Sequence, residues 1–126
     1  MNNSEKIGIE ERSFKFALQI IDLYKDLKNN KEFIISKQLL RAGTSIGANV
    51  SEAQAAQTKK DFIMKMTIAS KEARETRYWL QLLQQSKLVV IHLDDYLSEI
   101  KNIISILTKI VKTSQLNLNN KKSIKT

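Results

Sequence analysis

The chain has 126 residues, a formal net charge of +8, no cysteine, no proline and three glycines. That length suits one domain with one core. Without cysteine there are no disulfides, thiolate metal sites or cysteine nucleophiles, and no run approaches the ~20 apolar residues of a membrane span. Scarce turn residues and weak strand signals predict an all-α chain.

The opening MNNSEKIGIEERS lacks the apolar stretch of a signal peptide. It predicts a flexible N-terminus over residues 1–9 of a cytoplasmic protein. The first helix is expected from about Glu10 to Asn29. Phe16, Ala17, Ile20, Ile21, Tyr24 and Leu27 share one face, and Lys15, Gln19, Asp22 and Asp26 the other. Asn29, Asn30 and Lys31 make the first turn.

The second helix, about Ile34 to Ala55, contains QLLRAGTSIGANVSEA. At 100° per residue this segment resolves into three stripes. Leu39, Ala42, Ile46, Val50 and Ala53 form an apolar stripe. Gly43, Gly47 and Ser51 form a stripe with almost no side chain. Arg41, Ser45, Asn49 and Glu52 form a polar stripe. Glycine costs about 1 kcal/mol inside a helix, so two of them four residues apart predict another backbone packed very close. The polar stripe lacks a nucleophile–base pair. It reads as a structural polar network in which Arg41 and Glu52 each pair with a neighbouring helix or subunit.

Thr58 followed by Asp61 has the form of a capping box and starts the third helix, which runs to about Ser86. Phe62, Met66, Ala69, Ala73, Thr76 and Leu80 suit a core. Met64, Ile68, Tyr78, Trp79 and Leu82 lie on the far side. They predict an oligomer interface that includes Gly43, Gly47, Met64, Ile68, Trp79 and Leu82. The alternative is a wide core face that takes in Ile68 and Trp79. Lys59, Lys60, Lys71, Arg74 and Arg77 form a basic set beside Tyr78, suited to phosphate contact and base stacking. Glu72 and Glu75 interleave with it, so a solvated mixed-charge face is the competing reading.

Lys87 to Leu93 is a connection, and its His92 is the chain's one histidine. A lone histidine there is solvated or helix-capping, and no metal-ligand spacing occurs. No phosphate-cradling glycine motif occurs either, so neither metal, cofactor nor enzyme activity is expected. Asp94 and Asp95 start the fourth helix, which is expected to end near Lys112. Residues 113–126 are expected to be a basic, disordered tail. Four helices of such lengths, joined by short loops, predict an up-down-up-down four-helix bundle over residues 10–112.

Charge favours an acidic partner. Residues 61–126 hold eleven basic and six acidic groups, and from Lys109 onward there are five lysines and no acid. Such an imbalance is most often met by RNA or DNA.

QLLRAGTSIGANVSEA followed by TKKDFIMKMTIASKEARETRYWL resembles the four-helix-bundle proteins encoded in intervening sequences of bacterial 23S rRNA genes. The family pattern falls on Gln38, Leu39, Arg41, Ala42, Ser45, Ile46, Asn49, Val50 and Glu52. It continues over Thr58, Lys59, Lys60, Asp61, Phe62, Ile68 and Ala69. The resemblance covers residues 12 to 112. Gly47 stands where the family often has proline, and Ala53 where it often has glycine. The family is similar to the accessory protein of diversity-generating retroelements, a basic pentameric barrel that binds nucleic acid and a reverse transcriptase. The resemblance therefore implies a homopentamer, with RNA or DNA and a reverse transcriptase as partners and no catalysis. The alternative is a structural or protein-interaction bundle with no nucleic-acid partner.

Overall fold

A computed structural model describes residues 7–125, with side chains described through Lys121. It holds four helices and, among the described residues, no strand: α1 (Ile9–Asn29), α2 (Ile35–Gln54), α3 (Lys59–Ser86) and α4 (Asp94–Lys125). All four starts and three of the four stops match the sequence reading to within a residue. Of the expected flexible N-terminus, residues 1–6 lie outside the described residues.

Each helix end has a local cause. Glu10 and Glu11 sit in the first turn of α1 and Lys28 in its last, each complementing the helix dipole. Past Asn29 the chain turns through Lys31 at φ 63°. There the Glu32 N–H donates to the Leu27 carbonyl, and the Lys31 N–H to the Lys28 carbonyl. That pair of bonds closes a helix through a left-handed residue.

The cap of α2 is less legible. Its N-cap residue is Ile34, which has no capping side chain. The buried carboxylate of Glu32 accepts instead from the N–H groups of Ile34, Ile35 and Ser36. One side chain thus satisfies three donors that a helix start leaves open. At α3 the Thr58 hydroxyl accepts from the Asp61 N–H at 3.0 Å, as the capping-box reading requires.

The fourth helix corrects the sequence reading. It does not stop at Lys112 but continues to Lys125 through the segment expected to be disordered. The core-facing register carries on: Leu107 and Ser114 are buried, and Val111 and Leu118 are half-buried. That spacing of four, three and four keeps one face against the bundle. The run of asparagines and lysines hid it.

All four helices contribute to one core. Phe16, Ile20, Leu23 and Leu27 meet Leu39, Ile46 and Val50, then Met66, Leu80 and Leu83, then Ile100, Ile103 and Leu107. Each helix packs against the next in sequence, and α1 also meets α4 along a thinner seam; among the described residues, neither α1 and α3 nor α2 and α4 bring their backbones close together.

Gly43 and Gly47 lie on the α1 side of α2. A Cβ on Gly43 would stand 2.9 Å from two Ile20 carbons, and one on Gly47 would stand 3.3 Å from the Ser13 carbonyl oxygen. The close backbone predicted for this stripe is therefore α1 of the same chain. Gly43 is buried within the bundle and unavailable to a second copy; Gly47 is half-buried against Ser13. Sequence periodicity identifies a close-packed stripe but not its neighbour.

Candidate nucleic-acid interface

The central turns of α3 carry five charged residues, Lys71, Glu72, Arg74, Glu75 and Arg77. Helical rotation carries Arg74 and Arg77 away from Glu72 and Glu75, while Lys71 stands one turn before Glu75. Glu72 and Glu75 turn toward α2, where the Arg41 guanidinium bridges them: Nη1 lies 3.0 Å from Glu72, and Nη2 bonds to Glu75. Glu75 also accepts from the Trp79 indole N–H at 3.0 Å. That indole bond, followed by the bond from Arg41, holds the Glu75 carboxyl below its ordinary pKa, while partial burial opposes the shift.

The rest of the polar stripe is local. Glu52 pairs with Lys65 of α3 at 2.8 Å. The Ser45 hydroxyl donates to the Arg41 carbonyl, and the Asn49 amide to the Ser45 carbonyl. Arg41 and Glu52 therefore do pair with a neighbouring helix, within the same chain. Their pairs are solvent-facing, since the Arg41 side chain is 48% exposed and Glu52 is exposed.

The bases turn the other way. Lys71 and Arg74 line a cleft of about 320 Å³ between α3 and α4, together with Thr67, Ser70, Thr108, Val111 and Lys112. Arg74 Nη2 donates to the Thr108 hydroxyl at 3.1 Å. That partner is neutral, so it orients the guanidinium without cancelling its charge. No acid lines the cleft. The glutamates that interleave with the bases in sequence are engaged by Arg41 of α2.

The other predicted bases lie apart from this pair. Arg77 is half-buried, one turn beyond Arg74. Lys59 and Lys60 are exposed at the start of α3, with Lys60 about 16 Å from Lys71 along the axis. Thr108 and Lys112 of α4 complete the lining, and their sequence positions alone do not connect them to the basic set. That link needs the pairing of α3 with α4, which no local pattern encodes.

The apolar strip of α3 is narrower than predicted. Met64, Tyr78 and Leu82 are exposed. Ile68 and Trp79 are half-buried, and Trp79 packs on the core. The contact of Trp79 with the core is what the wide-core-face alternative expects. A second strip was missed: Phe14, Leu18 and Ile21 are exposed on α1. Their spacing of four and three places them on one face, and the signal was present in the sequence.

The α1–α4 seam is bridged by Arg12, whose Nε and Nη2 donate to the two Glu99 oxygens at 2.7 and 2.9 Å. In the connection before α4, His92 is exposed. No group of three or more metal-ligating side chains occurs among the described residues. Among them, no helix is long and apolar enough to cross a membrane.

Comparison with known proteins agrees with the resemblance. The family model of the 23S rRNA-intervening sequence protein matches residues 5–109. No curated protein matches. A crystal structure at 1.70 Å from Bacteroides thetaiotaomicron, described as a protein of unknown function from the S23 ribosomal protein family, is similar. It shares 45% identity over 83% of this chain and 99% of its own, with a TM-score of 0.80. The chain belongs to the 23S rRNA-intervening sequence protein family.

Proposed function

We propose that this protein is a non-enzymatic, cytoplasmic, homo-oligomeric bundle that binds RNA or DNA through the basic face of α3. The carrying observation is the sorting of charge on that helix. Its central acids are engaged by Arg41, while Lys71 and Arg74 share a cleft that no acid lines. Clustered, uncompensated positive charge is what phosphate contact chiefly requires, because each neutralised phosphate releases condensed counterions. A role as accessory to an rRNA intervening sequence or to a reverse transcriptase is the setting that the resemblance suggests.

An up-down-up-down course is supported by contacts that pair later residues of one helix with earlier residues of the next. Gly43 and Gly47 approach Ile20 and Ser13. Arg41 and Glu52 reach Glu72 and Lys65. Arg74 and Gln84 reach Thr108 and Asp94.

Self-association is supported by the two exposed apolar strips, Phe14, Leu18 and Ile21 on α1 and Met64, Tyr78 and Leu82 on α3. They lie on two helices whose backbones do not come close together among the described residues. Two different patches suit a head-to-tail contact, which closes into a ring; a pentamer is the ring that the resemblance favours. The same strips favour the second reading, a protein-interaction bundle without nucleic acid.

A titration of labelled single- and double-stranded RNA and DNA decides between them. Binding is expected at ~50 mM salt and should weaken steeply toward ~200 mM, as for several phosphate contacts. Absence of binding at ~50 mM salt and micromolar protein defeats the nucleic-acid reading. Light scattering should show an oligomer; a monomer of 14.5 kDa would remove the ring.

A further inference from the structure

We propose that the α3–α4 cleft seats the sugar-phosphate backbone of nucleic acid, and that the distal half of α4 supplies its second wall. This rests on the nucleic-acid reading and adds where the strand lies and which residues hold it.

The cleft presents three cations from two helices, Lys71 and Arg74 on α3 and Lys112 on α4, with Ser70 and Thr108 hydroxyls between them. Arg74 is already oriented by Thr108 at 3.1 Å. A guanidinium has five N–H donors, so one bond to a hydroxyl leaves most of the fork for phosphate oxygens. Arginine beside lysine and hydroxyls is a set for phosphate rather than for base edges.

The seam continues toward the start of α3. The bonds Arg74–Thr108 and Gln84–Asp94 fix how the two helices pass each other. Extended at 1.5 Å per residue, that register brings the last turns of α4 beside Lys59 and Lys60. Lys121 is exposed there. A backbone leaving the cleft in that direction meets a second basic cluster after about 16 Å, a span of several phosphates.

The family match ends at residue 109, so Lys112 and Lys121 lie on the part of α4 beyond it. The α3 wall and Thr108 fall within the family match, and Val111 and Lys112 complete the second wall beyond it. Phosphate is common to RNA and DNA, single or double stranded, and the cleft carries nothing that selects a base.

The experiment compares two charge-matched variants of the full chain, Lys112→Gln in the cleft and Lys37→Gln on the exposed start of α2. Binding is followed by anisotropy of a labelled single-stranded RNA between ~50 and ~200 mM salt, with single-stranded DNA and a duplex as parallel arms. Lys112→Gln should lower the slope of log affinity against log salt by about one. Affinity near 0.1 M salt should fall about tenfold. Lys112→Arg should restore both, and Lys37→Gln should match the unmodified protein. Equal slope losses in the single-stranded arms and the duplex identify backbone contact; loss in only one arm overturns the claim that phosphate alone is held. A Lys112→Gln variant no different from Lys37→Gln overturns the cleft, while binding by the unmodified protein keeps the nucleic-acid function and moves its site. An unmodified protein that binds nothing overturns both.

Discussion

The second helix and the fourth are held differently. On one side of α2, Gly43 and Gly47 let α1 approach until added Cβ atoms would press on Ile20 and Ser13. On its other side, Arg41 and Glu52 pair with acids and a lysine of α3. The fourth helix touches α1 along a thin seam and leaves a cationic cleft against α3. Where charges are mutually satisfied, the surface has little electrostatic work left to do. Where one sign is gathered and no acid answers it, an outside anion is the natural partner. The α2 side of α3 supports the fold, and its α4 side is the face proposed for nucleic acid.

The largest expected effect breaks the tight side. Gly43→Ala places a Cβ 2.9 Å from a buried, β-branched Ile20, and overpacking of this kind costs roughly 1–3 kcal/mol. Gly47→Ala meets only a 3.3 Å contact, and the helix preference of alanine offsets it by about 1 kcal/mol, so it should lie near neutral. Denaturant unfolding of both variants checks the order. A neutral Gly43→Ala would mean that α1 stands farther off.

A smaller effect separates the two sides of α3. Arg41→Ala should cost about 1 kcal/mol or less, because the pairs it makes are half-exposed and screened. Breaking a buried pair would instead cost about 3 kcal/mol or more. Arg74→Ala should cost less still and should weaken nucleic-acid binding, which Arg41→Ala should not. Unfolding and anisotropy on the same two variants test the division; equal binding losses would erase it.

The smallest effect is a titration. Glu75 is held below its ordinary pKa by the Trp79 indole first and by Arg41 second. A carboxyl depressed in the folded state adds stability above its unfolded pKa, and that stability is lost as pH falls through the folded value. Trp79→Phe removes the first cause, so the Glu75 midpoint should rise toward the ordinary carboxylate range. Side-chain carboxyl NMR measures it, and an unmoved midpoint would show that the indole bond does not form.

These contrasts also mark what sequence alone carries. The four helices were legible through their apolar arcs, with Thr58 and Asp61 marking the start of α3 and Glu10 and Glu11 that of α1. Residues 113–125 were not, because Ser114 and Leu118 give a weak arc amid asparagine and lysine. The small stripe of α2 announced a close neighbour yet could not name α1. The basic set was visible, but its glutamates could be discounted only once Arg41 was seen to engage them. Thr108 and Lys112 belong to the candidate site through a helix pairing between segments more than thirty residues apart, which periodicity does not encode.

The most direct test is a backbone-amide and side-chain NMR footprint of the protein with and without a short single-stranded RNA at ~50 mM salt, a condition that favours phosphate contact. The account predicts perturbations at Ser70, Lys71, Arg74, Thr108 and Lys112, with Arg41, Glu52 and Glu72 unmoved. Perturbations gathered on α2 with a silent α3–α4 cleft would contradict it.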